Sequence, residues 1–304
     1  MLESFLSDIR SQVITDTEDL IKPNSSVAKA MLYTATAESK CFRAALVHAT
    51  AKGLAFNNIT AIRELAVCIE LLHSYSLIHD DLPCMDDDDI RRGKPANHIE
   101  FGESTAVLAG DALQLRALQV IVDSTAINAD AKIQILHNLL TSCGYQGMIL
   151  GQELDMLAEQ DSTVDIRKIH SLKTGKLIQS AIICASSLED SNTNIDDFEQ
   201  MGWHIGMAFQ ITDDILEFTQ TSESLGKSNL SDAKNQKLTY VSKFGIEESK
   251  SEAQQHIQTS LEIAKRCLEQ PNRMMDLAKM VLGRTSDRKS TRLTPVTVPY
   301  LVCR

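Results

Sequence analysis

Apolar residues recur at helical spacing along most of the chain. Ile62, Leu65, Ile69 and Leu72 lie three or four residues apart and lead on to Ser76, the stripe of a helix running toward His79. Ala106, Leu113, Leu118 and Val120 mark a second apolar helical run, and the patterns over 195–216 and 246–267 predict further helices. Around 103–123 and 132–150 the apolar positions spread over the whole circumference, which predicts helices central to a large bundle. No segment combines period-2 alternation with β-branched enrichment, and no hairpin signal is visible. None of the six prolines falls between Pro95 and Pro271, so the long middle of the chain lacks helix breakers. The pattern predicts an all-α bundle of about ten helices, with loops near 83–102, 157–164, 188–194 and 220–236.

The last stretch, 287–304, abandons this pattern for Thr, Pro and Val. It matches what sequencing-adapter codons would encode, so a non-native or disordered tail is expected there, with the native C-terminus lost near 284–286 and one domain spanning 1–286.

Composition narrows the function. With 30 Lys+Arg against 41 Asp+Glu the net charge is −11. Nucleic acid and an anionic membrane are thereby disfavoured as partners, because both need a basic face. The seven cysteines show no CxxC spacing, which predicts reduced thiols of a cytoplasmic protein and no zinc site. No signal peptide, transit peptide or membrane-spanning stretch is expected.

Two acidic segments carry the candidate chemistry. Residues 80–89 hold six aspartates, Asp80, Asp81 and Asp86–Asp89, directly after an apolar helix. An acidic run is ordinarily a solvated loop, but this one opens from the mouth of a buried helix. The second segment, around Asp213, Asp214 and Glu217, lies in equally apolar surroundings, and Asp213, Glu217 and Gln210 share one helix face. Carboxylates so crowded need cations, and two facing clusters suit Mg²⁺, which keeps waters and bridges carboxylates to phosphates. An EF-hand fails, since Arg91 stands where the loop needs glycine. A P-loop fails because His170 stands where the motif upstream of Lys176 needs glycine. The acidic runs are complemented by Arg91, Arg92, Lys173, Thr174, Lys227, Lys237, Lys40 and Arg43, a set suited to polyphosphate. His73 lies two helical turns before Asp80.

The stretches SLIHDDLPCMDDDDIRRGKPANH, FGESTAVLAGDALQ, GQELD, KTGKLI and FQITDDILE, in this order, resemble the trans-isoprenyl diphosphate synthases, bacterial-type farnesyl diphosphate synthase most closely. The resemblance implies an isoprenoid-synthase bundle around a deep central cavity, usually a homodimer. It implies that Asp80, Asp81, Asp86, Asp213, Asp214 and Glu217 bind about three Mg²⁺, with Mn²⁺ a possible substitute. Arg91, Lys173, Thr174, Gln210, Lys227 and Lys237 would hold an allylic diphosphate, and Lys40, Arg43, His73 and Arg92 isopentenyl diphosphate. Asp80, Asp81, Asp86, Lys173 and Asp213 would carry catalysis. Tyr75, with Ser76, resembles the floor that stops growth at the farnesyl length. The family's Gly-Gly-Lys-Arg-x-Arg-Pro loop is here Glu38-Ser39-Lys40-Cys41-Phe42-Arg43-Ala44, which predicts weaker isopentenyl diphosphate binding. The alternatives are a geranylgeranyl diphosphate synthase or a weakly active regulatory partner. A terpene cyclase would not need the second diphosphate site.

Overall fold

The computed structural model describes residues 2–161, 163–189, 194–224 and 238–284. Its helices are α1 (Leu2–Leu20), α2 (Ser26–Ala35), α3 (Phe42–Gly53), α4 (Ile59–Asp80), α5 (Asn97–Phe101), α6 (Glu103–Asp123), α7 (Ala129–Cys143), α8 (Met148–Ala158), α9 (Ile166–Ile169), α10 (Lys176–Ser186), α11 (Ile195–Ser224), α12 (Tyr240–Phe244), α13 (Ile246–Cys267) and α14 (Asn272–Gly283). A π-helical segment, His170–Gly175, joins α9 to α10. The all-α bundle expected from periodicity is therefore the fold.

Local chemistry starts the helices. Ser25, Asn58 and Asn128 each accept a backbone N–H bond three residues on and cap α2, α4 and α7. Burial then selects their faces. On α4 the stripe Ile62, Leu65, Ile69 and Leu72 is buried, as its spacing predicts. Each such side chain contributes roughly 1.5–3 kcal/mol by leaving water.

The centre of the bundle is not where the apolar circumference placed it. It is α10, from Leu177 to Ser186 buried on every side and packed against α3, α4, α7 and α11. By contrast α6 and α7 keep one apolar face in solvent: Leu108, Leu115 and Val122 are 54–69% exposed and seven residues apart, and Ile133 and Leu140 repeat that spacing. Among the described residues α6 is also long and apolar enough to cross a membrane, contrary to expectation; only Asp111 and Arg116 interrupt its interior. The pattern over 132–150 forms two helices instead of one. The break runs through Gly144 and Gly147, whose N–H groups donate to Leu140 O (3.0 Å) and Gly144 O (2.9 Å).

One hairpin was invisible in the sequence. Strands β1 (Ile90–Arg91) and β2 (Lys94–Pro95) pair antiparallel through the two-residue turn Arg92-Gly93. Both turn residues have positive φ, 53° and 76°. Such a turn ordinarily carries Asn or Asp first, so an arginine there hides the signal.

Candidate active site

The first acidic segment follows α4 without a break. Asp86 N donates to Asp80 O at 2.8 Å, which brings the chain back beside the helix end. Asp81 is 2% exposed, and Arg91 Nε donates to its Oδ1 at 2.8 Å while Arg91 Nη2 reaches both Asp81 and Asp88. Burial pushes the Asp80 carboxyl up to about 6, with Asp86 and Asp81 adding repulsion and Lys173 and Arg91 opposing it.

Lys173 enters from the π-helical segment. Its Nζ donates to Asp155 Oδ2 at 2.7 Å and lies 3.8 Å from Asp86 Oδ2. Burial alone would lower the lysine's pKa; the carboxylates of Asp155, Asp80 and Asp86 outweigh it and raise it. The segment reaches this position because Gly151 of α8 has no side chain. A Cβ there would overlap the Lys173 amide nitrogen and sit 2.6 Å from its Cα. Gly206 on α11 does the same on the other side, where a Cβ would lie 2.8 Å from the Gly175 Cα. π-Helical turns leave backbone groups out of the regular ladder and cluster at functional sites.

The neighbouring residue faces the second acidic segment. Thr174 Oγ1 donates to Gln210 Oε1 at 2.8 Å, and Gln210 Nε2 donates to Asp214 Oδ1 at 3.1 Å. Asp214 is buried, and its Oδ2 accepts from Tyr240 N and lies 3.3 Å from His170 Nε2. Asp213, one residue earlier, holds Arg284 Nη2 at 2.8 Å. Consecutive residues 173 and 174 therefore span the two acidic segments. Had those segments lain on separate surfaces, no common ligand could serve both.

A cationic cluster adjoins them. Arg43 is buried at the start of α3, and its Nε has no hydrogen-bond partner among the described residues. Burial draws its guanidinium down to about 10, against the pull of Glu70. His73 is held well below its ordinary pKa by burial and then by Arg43, Arg92 and Arg91, so it stays neutral. Turn geometry separates the two hairpin arginines: Arg91 engages Asp81, while Arg92 lies in the field of Glu70 and Cys41. A buried guanidinium with a spare donor and two more arginines nearby are chemically suited to an anion.

The Polyprenyl synthetase family profile matches residues 24–278. The chain belongs to that family. It is 37% identical over 292 residues to farnesyl diphosphate synthase of Bacillus subtilis, covering 93% of this chain and 98% of that one. It is 42% identical over 229 residues to farnesyl diphosphate synthase of Micrococcus luteus, covering 74% and 78%. The fold superposes on an FPP/GFPP synthase from Zymomonas mobilis with a TM-score of 0.82 at 28% identity, covering 92% and 98%.

Within this polyprenyl synthetase the expected site residues are distributed as follows. Asp80, Asp81, Asp86, Arg91 and Lys173 form one connected group. Thr174, Gln210 and Asp214 form another. Arg43, His73 and Arg92 lie in one another's fields. Lys40 is exposed and lines a groove of 790 Å³ with Arg10, Ser39 and Arg284. Glu217 is exposed on α11. Tyr75 is buried with its ring 5.9 Å from that of His79, and Ser76 Oγ donates to His73 O at 2.9 Å. Lys227, Lys237 and the tail at 287–304 lie outside the described residues.

Three residues escaped the sequence reading. Asp155 anchors Lys173, Gln152 Nε2 points at Asp86 Oδ1 at 3.5 Å, and Arg284 meets Asp213. The signal for the first two was present: GQELD places Gln152 and Asp155 on one side of a largely apolar helix, three residues apart, with Glu153 exposed between them. Arg284 carries no local signal.

The donor set fits a hard divalent cation. It consists of carboxylate oxygens on two sides, and the Asp80 carboxyl is raised first by burial and then by its neighbours Asp86 and Asp81, so a cation there would relieve it. Among the described residues no three His, Cys, Asp or Glu side chains converge enough to hold a metal unaided. Mg²⁺ takes few carboxylates and completes its shell with waters and phosphate oxygens.

Proposed function

We propose that this chain condenses isopentenyl diphosphate with dimethylallyl or geranyl diphosphate to give farnesyl diphosphate. The observation carrying this reading is the pair Lys173–Thr174, joined on one side to Asp86 and on the other, through Gln210, to the 213–214 pair. Asp80, Asp81, Asp86, Asp213, Asp214 and Glu217 would hold Mg²⁺, and Asp214 also binds Gln210 and the backbone of Tyr240. Bound Mg²⁺ would supply Lewis-acid neutralisation of the departing diphosphate.

The protein's own groups do the rest. Lys173 and Arg91 hold the allylic diphosphate and, with Thr174 and Gln210, orient it for C–O ionisation. Arg43, His73, Arg92 and Lys40 hold isopentenyl diphosphate with its double bond toward the allylic carbon. The apolar walls keep water from the cation. No side chain is required as base, because the released diphosphate can take the proton. Cys41 stands among these groups, buried, with a positive φ of 43° and a thiol pushed up to about 11 by burial and then by Glu70. It adds no positive charge toward the diphosphate, in keeping with weaker isopentenyl diphosphate binding.

The described cysteines are all free, which supports a reducing cytoplasmic setting. The heptad-spaced apolar face of α6 and α7 supports a homodimer, since a second copy would cover Leu108, Leu115 and Val122.

The test is turnover of the two diphosphates with Mg²⁺, products identified by chromatography. Farnesyl diphosphate is expected, and a metal chelator should abolish it; undiminished turnover with chelator, or no condensation at all, rejects the reading. Product length checks the floor. Tyr75 is buried on α4, and burial, then the neighbouring Cys143 and Asp80, raise its phenol. Tyr75→Ala is expected to shift the product to geranylgeranyl length or beyond, and an unchanged product spectrum removes Tyr75 from that role.

A further inference from the structure

Arg284 follows α14 and takes no part in the roles assigned above. Its Nη2 lies 2.8 Å from Asp213 Oδ1, and its Cζ sits 4.0 Å from the centre of the Phe209 ring. The arginine side chain is 13% exposed and the aspartate 28%, so water screens the pair only partly. Phe209 stacks on Phe42 with ring centres 5.3 Å apart, and Phe42 stands between Cys41 and Arg43. Arg284 also lines the 790 Å³ groove that contains Arg10, Ser39, Lys40 and Lys279. It thus stands where that groove meets the second acidic segment.

A guanidinium this close neutralises, across a 2.8 Å ion-pair contact, the carboxylate oxygen that a metal would need. The two cations would also repel each other at that range. Occupation by one must weaken occupation by the other, and by the same factor in both directions.

We propose that Arg284 is a placeholder for the divalent cation on Asp213. It balances that carboxylate while no metal is bound, and it leaves Oδ1 when the metal arrives, swinging toward the groove. The planar stack on Phe209 gives it a defined resting place. This deepens the proposed function and rests on it, because that reading makes Asp213 a metal ligand.

Mn²⁺ binding to the chain without any substrate, counted by the electron paramagnetic resonance of the free ion, tests the exchange. Arg284→Gln is expected to bind Mn²⁺ about tenfold tighter than wild type, the change that matches loss of one partly buried ion pair. Arg284→Met keeps an apolar contact with Phe209 and carries the same expectation if the glutamine variant folds poorly. In an Asp213→Asn background the same substitutions should change nothing. Equal or weaker Mn²⁺ binding by folded Arg284 variants, or an undiminished effect without Asp213, overturns the proposal. The two readings fail separately. A chain without prenyl transfer that shows the tenfold change rejects the function alone, and an active chain without it rejects only the placeholder.

Discussion

Asp80→Asn is expected to lower turnover by about 10³-fold while leaving the fold intact, the scale of losing one charge-stabilising group in an enclosed site. The reason is visible in its environment. Burial is the main force raising this carboxyl to about 6, and Asp86 and Asp81 add to it, so the site holds a negative charge that the protein only partly balances. The sign for stability follows. A carboxyl whose pKa is higher in the folded than in the unfolded chain stabilises the fold when protonated. That contribution is complete below about pH 4 and is lost as pH rises to about 6. At pH 7.5 without metal, Asp80→Asn should therefore melt higher than wild type, by an amount equivalent to about 1–2 kcal/mol. In wild type, Mg²⁺ affinity should fall as pH drops through 6, because a protonated Asp80 cannot ligate; the variant should be nearly flat in that window. Calorimetry with and without Mg²⁺, beside steady-state rates, reads all of this. A variant that melts lower without metal, or retains wild-type turnover, contradicts the assignment of Asp80.

Gly151→Ala is expected to damage the same site from the opposite direction. Its added Cβ would lie 2.6 Å from the Lys173 Cα and 2.7 Å from the Leu172 carbonyl carbon, both backbone atoms that cannot rotate aside. Either α8 or the π-helical segment must move by close to an ångström. Overpacking of this kind costs about 1–3 kcal/mol of stability. Displacing Lys173 from Asp155 and Asp86 should cost about 10²-fold in turnover, since an error of an ångström at a positioned charge has that scale. Thermal melting and kcat measured together test the point. A variant that loses stability but keeps kcat would mean that the position of Lys173 is not critical.

Much of this molecule is legible residue by residue. The stripe from Ile62 to Leu72 is buried as its spacing requires, and the helices expected over 246–267 and from 195 onward form as α13 and α11. Periodicity is a property of one segment, so it survives without knowledge of neighbours. The acidic segments stand out because so many carboxylates beside apolar helix require an explanation wherever the chain goes. Other features had no local trace. The turn at Arg92-Gly93 forms because Arg91 is drawn to Asp81, and the π-helical segment forms where Gly151 and Gly206 let three backbones approach.

The sequence by itself determined an all-helical chain, its two acidic segments and the cations available to complement them, since each rests on residue type and spacing within a single stretch. The tertiary structure decided that α10 forms the centre, that α6 and α7 keep an apolar face outward, and that Arg284 meets Asp213. Those outcomes depend on which surfaces meet across dozens of residues, and burial and ion pairing are properties of such pairs, not of either partner.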